Sequence, residues 1–175
     1  MTRLFLFRHA QAEGALPSGH DIDRRLTPQG RDDAVQIGRY LARHRLVPDL
    51  AVVSSAARTQ ETWSAAAAVL PAPPPVITQA RLFNASCADI LSVLQALPAD
   101  AKQPVVVAHN PGLQEAALLL TASGDAELRE RLREGLPTAG LVVLDFMIED
   151  WHALRPQSGR LERFLNPRLL TAATE

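Results

Sequence analysis

Cysteine is nearly absent from this sequence: Cys87 is the only one in 175 residues. No disulfide can therefore form within the chain, which excludes the small disulfide-rich secreted domains and cysteine-rich zinc sites. There is also no run of about 18 apolar residues, so no transmembrane helix is expected. The apolar stretch at residues 4–7 is too short for a signal peptide. We expect a cytoplasmic protein that does not bind a membrane.

The sequence lacks an excess of either charge, since 18 basic and 19 acidic residues give a formal net charge of -1. This balance gives no electrostatic support to general nucleic-acid binding, so no nucleic-acid partner is expected. Lysine is also scarce, because Lys102 is the only lysine among those 18 basic residues. Arginine binds planar anions through a bidentate fork, whereas lysine acts as a point charge. The positions of individual arginines are therefore informative.

The length and the hydrophobic content of 47% suit one soluble globular domain, and we expect residues 1–175 to form a single domain. A chain of this size can bury enough surface to fold without a disulfide or a metal. The proline-rich stretch 71–75 is expected to be a rigid connector.

Three apolar runs, at 3–7, 50–53 and 105–108, predict buried strands. Residues 10–26 are expected to form a loop. Helices are predicted from Thr27-Pro28 to about Arg45, from Arg58 to Leu70, from Ser86 to about Leu97, from Pro111 to about Thr121, and over 125–134. The alternation of strands and helices predicts an α/β fold of three layers, with helices on both faces of a mostly parallel central sheet.

The C-terminal part of the chain is less regular. Residues 140–147 and 160–165 are predicted to be two strands that form a hairpin. Over residues 155–175 we expect a solvated strand face and a frayed end. The alternative is a basic edge near a protein partner, formed by Arg160, Arg163 and Arg168.

Polar residues follow each of the three buried strands directly. The first strand is followed by Arg8 and His9, and the third by His109. Arg58 lies just after the second strand, at the start of a helix. Ligands of open α/β sheets bind outside the carboxyl ends of the strands. We therefore expect these four side chains to converge at one edge of the sheet.

Two arginines and two histidines in one pocket would form a cationic site for an oxyanion. A neutral imidazole in such a pocket can attack phosphorus. Because the cations neutralise developing charge, neither a metal nor another cofactor is expected. A zinc site at His9 and His109 is not expected, since Cys87 is isolated and no H-x-x-x-H pair occurs. The other three histidines lack a comparable setting: His20, His44 and His152.

These segments resemble the sequence signatures of the histidine phosphatase superfamily, which also contains the phosphoglycerate mutases. Residues 4–12 (LFLFRHAQA) resemble its "RHG" signature, with Ala10 where glycine is commoner. Three further segments follow in the family's order: 24–30 (RRLTPQG) resembles "LTxxG", 53–62 (VSSAARTQET) resembles "SxxxRAxQT", and 106–110 (VVAHN) resembles the second histidine segment. The resemblance covers residues 4–113.

The short chain is similar to one compact branch of that superfamily. Only residues 59–104 separate Arg58 from the third strand, which leaves no room for the inserted helical region of the mutases. The segments 109–113 (HNPGL) and 137–140 (PTAG) resemble the SixA-type phosphohistidine phosphatases. The resemblance implies a phosphoglycerate mutase-like fold without a large helical insertion.

The resemblance also implies a mechanism. His9 would attack the phosphoryl group and become phosphorylated, and water would then hydrolyse the phosphohistidine. The residues implied to hold the phosphoryl oxygens are Arg8, Arg58, His109 and, as a further arginine, Arg24. Arg25, the neighbour of Arg24, could point inward instead.

The sequence departs from the family pattern at Asn84, where many members have an acidic residue that protonates the leaving group. An amide cannot donate a proton as a carboxylic acid can. Glu13, Asp21 and Asp23 in the long loop are possible substitutes. Alternatively, the leaving group needs little help, as with a protonated imidazole. That alternative favours phosphohistidine over alkyl phosphate esters.

The sequence supports three functions. The first is a metal-independent phosphatase that acts on phosphohistidine in a protein. The second is a small phosphomonoesterase with a metabolite or nucleotide substrate. The third is a pseudoenzyme that binds a phosphoprotein without turnover.

Overall fold

The computed structural model describes residues 1–17 and 19–174, which form seven strands, six α-helices and three short 3₁₀ turns. The strands are β1 (Thr2–Arg8), β2 (Leu50–Ser54), β3 (Val76–Gln79), β4 (Pro104–Ala108), β5 (Thr121–Gly124), β6 (Leu141–Phe146) and β7 (Gly159–Leu165). The helices are α1 (Pro28–Arg43), α2 (Ala57–Ala67), α3 (Cys87–Gln95), α4 (Gly112–Leu120), α5 (Ala126–Glu134) and α6 (Pro167–Thr174). The 3₁₀ turns are Asp21–Asp23, Ala80–Leu82 and Trp151–Ala153.

All seven strands belong to one mixed sheet in the order β3-β2-β4-β1-β6-β7-β5. The pairs β1–β4, β2–β4, β2–β3 and β5–β7 are parallel, while β1–β6 and β6–β7 are antiparallel. The predicted α/β fold with a mostly parallel sheet and no large helical insertion is confirmed. The two late strands do pair antiparallel, but residues 147–158 connect them in place of a tight hairpin turn.

Two apolar cores lie on opposite faces of the sheet. Successive side chains of a strand point to opposite faces. Accordingly, Leu4 and Leu6 of β1 join one cluster, and Phe5 and Phe7 join the other. The first cluster takes its helical members from α3, α4 and α5, and the second from α1 and α2. Helices on both faces explain why the central strands are apolar throughout.

Three parts of the fold differ from the expectation. Strands β3 and β5 were not predicted; both are short and lie at the two edges of the sheet, where one side has no partner strand. Strand β7 lies inside the sheet, between β6 and β5, and only part of it is solvated: Arg160 is exposed, whereas Gly159, Leu161 and Phe164 are buried. The expected frayed end contains α6, whose Leu170 packs against the second core cluster.

Of the three arginines of the alternative basic edge, Arg168 is exposed and the other two have partners within the chain. Arg160 pairs with Glu162 at 3.0 Å, and Arg163 donates a hydrogen bond to the hydroxyl of Tyr40. Both guanidinium groups on β7 therefore have a partner, and the side chain of Arg160 is still 69% exposed.

The start of α1 packs closely against the loop that follows β1, at Gly30. A Cβ at Gly30 would lie only 2.1 Å from the backbone oxygen of Gln11. The Thr27 hydroxyl accepts a hydrogen bond from the Gly30 N–H at 2.9 Å, which caps the helix. The helix start and the loop beside the first histidine therefore form one unit. In the described part of the chain, every helix is too short or too polar to cross a membrane.

Candidate active site

Three neighbouring parallel strands end at the same edge of the sheet and place the predicted residues there. His9 follows β1 directly, His109 follows β4, and Arg58 is the second residue of α2 after β2. The rings of His9 and His109 have centroids 5.4 Å apart. Arg58 is only 5% exposed, and His109 only 6%. The structure thus brings these side chains together across about 100 residues of sequence, as expected from open α/β sheets.

Hydrogen bonds on both sides fix the backbone of His9. Its N–H donates to the Ala108 oxygen at 3.2 Å, and its own oxygen accepts from the Ala139 N–H at 3.0 Å. The next residue, Ala10, donates its N–H to the Thr62 hydroxyl at 2.9 Å. Strand β4, the loop before β6 and helix α2 therefore all hold this one histidine.

The tautomer of His9 follows from a single contact. Its Nδ1 lies 2.7 Å from the backbone oxygen of Ala10. A carbonyl oxygen can only accept a hydrogen bond, so Nδ1 carries the proton. In the neutral ring, Nε2 then keeps its lone pair. That atom is therefore free to act as a nucleophile.

The environment keeps His9 neutral. Burial is the main cause that lowers its pKa to about 4, and the positive charges of Arg58, Arg8 and Arg24 lower it further. At neutral pH His9 is therefore a neutral imidazole, with its single proton on Nδ1.

Arg58 is held by the loop that follows β1. Its Nη1 donates to the backbone oxygen of Asp21 at 2.9 Å, and its Nη2 donates to the Asp21 carboxylate at 3.1 Å. Its guanidinium also lies 5.9 Å from the centroid of the Phe83 ring. A cation at a helix N-terminus is electrostatically unfavourable, so these contacts offset its position.

The structure distinguishes Arg24 from Arg25. Arg24 donates to the Asp21 carboxylate at 3.0 Å and to the Glu13 backbone oxygen at 2.8 Å. Arg25 is exposed and lies 3.3 Å from the Glu61 carboxylate, on the outer side of α2. The alternative that Arg25 points inward is therefore wrong, and Arg24 is the arginine beside His9.

Arg8 is hydrogen-bonded to the segment between α5 and β6. Its Nη1 donates to the Leu136 backbone oxygen at 3.0 Å, and the same oxygen accepts from the Asn110 amide at 2.8 Å. Its buried Nε has no hydrogen-bond partner among the described residues. Arg8 also lines an open cavity of about 810 Å³, together with Asn110, Gln114 and residues of α5. The Nε–H donor of Arg8 is therefore unpaired within the described residues.

The second histidine is held by a buried serine. The Nε2 of His109 lies 2.7 Å from the Ser54 hydroxyl oxygen. Its buried Nδ1 has no hydrogen-bond partner within the described part of the chain. The Phe83 ring meets the His109 ring edge-on, at 5.7 Å between centroids. Burial first, and then the charge of Arg58, lowers the pKa of His109 to about 3.

The proposed acids of the loop are placed differently from one another. Asp21 bridges two arginines, and the hydrogen bond from Arg24 and the charge of Arg58 lower the pKa of its carboxyl. It is therefore a carboxylate at neutral pH, which argues against it as a proton donor. Glu13 and Asp23 are exposed. Asn84 is exposed as well and has a φ of 55°, a left-handed conformation that asparagine tolerates.

Sequence reasoning gave no role to several residues of this site. Ser54, Thr62 and Phe83 all contact a histidine or its neighbour. Ser54 and Thr62 lie in the segment that carries Arg58, at the end of a strand and one helical turn after that arginine. A polar residue at the end of a fully apolar strand was the signal that could have identified Ser54.

The site as a whole suits an anion. The charges of Arg8, Arg24 and Arg58 lower the pKa of His9, those of Arg8 and Arg58 lower the pKa of His109, and guanidinium forks match phosphate oxygens. Among the described residues, no cluster of three or more His, Cys, Asp and Glu side chains could hold a metal ion.

Comparison with known proteins agrees with this geometry. The model of the histidine phosphatase superfamily (branch 1) matches residues 4–90. An uncharacterised protein of Mycobacterium tuberculosis is 30% identical over 164 residues, which cover 92% of this chain and 99% of the relative. A solved structure from Agrobacterium tumefaciens, named as a candidate phosphohistidine phosphatase SixA, is 31% identical with a TM-score of 0.76 and covers 95% of this chain and 98% of that one. The chain belongs to the histidine phosphatase superfamily.

Within the histidine phosphatase superfamily, the structure belongs to the compact SixA-type branch. A second solved structure, from Nakamurella multipartitia, is named in the same way. It has a TM-score of 0.82 and is 28% identical, and the match covers 95% of this chain and 96% of that chain. Coverage near the full length of both chains agrees with the lack of a large insertion between α2 and β4.

Proposed function

We propose that this histidine phosphatase hydrolyses phosphohistidine on a protein, without a metal, through a phosphorylated His9. One observation carries the proposal. The Nδ1 proton of His9 is committed to the Ala10 oxygen, so Nε2 has a free lone pair in a ring whose pKa is lowered by burial and by the charges of three arginines. A neutral nucleophile among fixed cations is the arrangement that phosphoryl transfer requires.

In the first step, His9 Nε2 forms a bond to phosphorus and the bond from phosphorus to the leaving nitrogen breaks. The leaving imidazole departs as a neutral ring because it already carries a proton. Arg8, Arg24 and Arg58 balance the charge on the phosphoryl oxygens. In the second step, a water oxygen bonds to phosphorus and the P–Nε2 bond breaks. Inorganic phosphate leaves, the proton of water is released to solvent, and His9 is restored.

Two features support a protein phosphohistidine as the substrate. Asn84 provides no acidic proton at the position where many family members have an acid. This suits a leaving group that is already protonated. The solved structures with 28% and 31% identity are named as candidate phosphohistidine phosphatases, and this chain covers them almost completely.

A small phosphate ester is the second candidate substrate. The cavity beside Arg8, of about 810 Å³, is within the size range of small-molecule sites. His9 does not line this cavity, so such a substrate would extend its phosphoryl group past Arg8 to His9 and leave the rest of its structure along α5.

The test is phosphate release from a phosphohistidine peptide in the presence of a chelator. Wild type, His9→Asn and His152→Asn are compared; His152 is exposed and lies outside the site, so it controls for the loss of an imidazole. We expect release by the wild type and by His152→Asn, and none by His9→Asn. Release from alkyl phosphates but not from the peptide would support the second candidate. No release from either would indicate a binding protein without turnover.

A further inference from the structure

The end of β2 holds a completely buried hydroxyl beside the second histidine. Ser54 is 0% exposed, and its oxygen lies 2.7 Å from His109 Nε2. Its backbone oxygen accepts hydrogen bonds from the Thr59 hydroxyl and the Gln60 amide, both at 2.9 Å. Ser54 is thus fixed by the first turn of α2, the turn that also carries Arg58.

The direction of the Ser54–His109 hydrogen bond follows from a count of protons. Within the described residues, the Ser54 hydroxyl oxygen has one other polar contact, a long hydrogen bond of 3.4 Å from the Ala56 N–H. If the Ser54 hydroxyl donates to Nε2, every group of the pair is satisfied except the Nδ1–H of His109. If Nε2–H donates instead, both the Ser54 proton and the Nδ1 lone pair are buried without partners. Buried polar groups are rarely left unpaired, so the first arrangement is favoured.

We propose that Ser54 is a positioning residue that holds His109 as its Nδ1–H tautomer, so that this N–H donates to a phosphoryl oxygen. This inference rests on the proposed function, because the acceptor is the transferred phosphoryl group. It assigns Nδ1, the atom without a protein partner, to the substrate.

The charge state of His109 makes the tautomer decisive. Burial lowers the pKa of His109 to about 3, so the ring is neutral at neutral pH. A neutral imidazole has a single N–H, whereas an imidazolium has two. A doubly protonated ring would donate through Nδ1 whatever its other nitrogen contacts. In the neutral ring, only the Ser54 contact directs the single proton to Nδ1.

The groups that face His109 from the packed elements agree with this role. Arg58 and Arg8 bring positive charge, and the carboxylate of Asp21 acts in the opposite direction. His9, with its own proton committed to Ala10, offers His109 no donor through Nδ1. A phosphoryl oxygen would therefore meet N–H groups and cations, and no competing lone pair from His109.

The first test reads the tautomer directly. Long-range ¹H–¹⁵N NMR at neutral pH distinguishes a protonated Nδ1 from a protonated Nε2 in each histidine of the wild-type protein. His109→Gln assigns the His109 signals. We expect Nδ1–H at His109. A protonated Nε2 in the wild type would overturn the proposal without any serine variant.

The second test compares serine variants by NMR and by tungstate binding. Ser54→Ala removes the hydroxyl, Ser54→Cys keeps a weak donor, and Ser55→Ala is the matched control on the adjacent residue. Loss of a hydrogen bond to a charged group corresponds to about a tenfold to hundredfold weaker binding. We expect Ser54→Ala to lose the Nδ1–H signature and to bind tungstate that much more weakly. Ser54→Cys should recover part of both, and Ser55→Ala should match the wild type.

Two outcomes separate this proposal from the proposed function. If Ser54→Ala is folded, keeps the Nδ1–H tautomer and binds tungstate as the wild type does, the role of Ser54 is refuted while the phosphatase proposal stands. If the wild type has the Nδ1–H tautomer but neither binds tungstate nor releases phosphate, the proposed function is refuted and the tautomer assignment stands. Should Ser54→Ala fail to fold, Ser54→Cys gives the same comparison.

Discussion

Lowering the pH from 7 to about 4.5 is expected to destabilise the fold through His9. Burial, and then the charges of the nearby arginines, holds the pKa of His9 at about 4 instead of 6.5. Between these pH values His9 becomes protonated in the unfolded chain but stays mostly neutral in the folded chain. The stabilisation is present above pH 6.5 and is lost as the pH falls towards 4. For His9 alone, the loss at about pH 4.5 is about 2.5 kcal/mol.

Urea denaturation of the wild type and of His9→Asn at both pH values measures this effect. Asparagine does not titrate, so the variant lacks the proton uptake at this position. We expect the decrease in unfolding free energy between the two pH values to be smaller by about 2 kcal/mol in the variant. An equal decrease in the two proteins would refute the assignment of a buried neutral imidazole to His9.

The cause of the shift can be tested in the same protein. Because burial is its largest cause, Arg58→Gln should raise the pKa of His9 only part of the way to 6.5. Arg25→Gln, which removes an exposed charge paired with Glu61, should leave it unchanged. An NMR titration of His9 gives both values. A His9 pKa near 6.5 in Arg58→Gln would show that charge, and not burial, keeps the ring neutral.

Three further predictions concern Asn84, the close approach at Gly112, and the neighbouring arginines Arg24 and Arg25. Asn84→Asp should fold, because aspartate also tolerates a φ of 55°. It should hydrolyse alkyl phosphates about tenfold faster, because the new carboxyl can supply a proton to the leaving group. An unchanged rate would show that leaving-group protonation at this position is not limiting. Gly112→Ala should destabilise the protein by about 1–3 kcal/mol in urea denaturation, because the new Cβ would lie 2.2 Å from the Ala85 oxygen. Tungstate titration should show weaker binding by Arg24→Ala and unchanged binding by Arg25→Ala; equal loss in both would contradict the assigned orientations.

The parts of the fold that the sequence predicts are those with helices on both faces. Residues 3–7, 50–53 and 105–108 are apolar without interruption because both sides of each strand are buried. The edge strands β3 and β5 have exposed positions and four residues each, so no apolar run marks them. Local composition cannot reveal a short strand whose pairing depends on a distant neighbour.

The candidate site shows the same division. Arg8, His9, Arg58 and His109 could be predicted because each lies at or shortly after the end of a buried strand. The contact between Asp21 and Arg58 spans 37 positions and depends on how a long irregular loop folds back. Periodicity gives no information about such a loop. The sequence therefore could not show that Asp21 pairs with the arginines and does not serve as a proton donor.

Trapping of the phosphoenzyme tests the central claim most directly. Wild type and His9→Asn are mixed with a ³²P-labelled phosphohistidine peptide, quenched in alkali within the first turnover, and digested for mapping by mass spectrometry. A phosphorus–nitrogen bond is labile in acid, so a label on His9 must be lost on acidification. We predict an acid-labile label on the peptide that contains His9 in the wild type and no label in the variant. Phosphate release by the wild type without a label on His9, or a label of equal intensity in His9→Asn, would contradict the account.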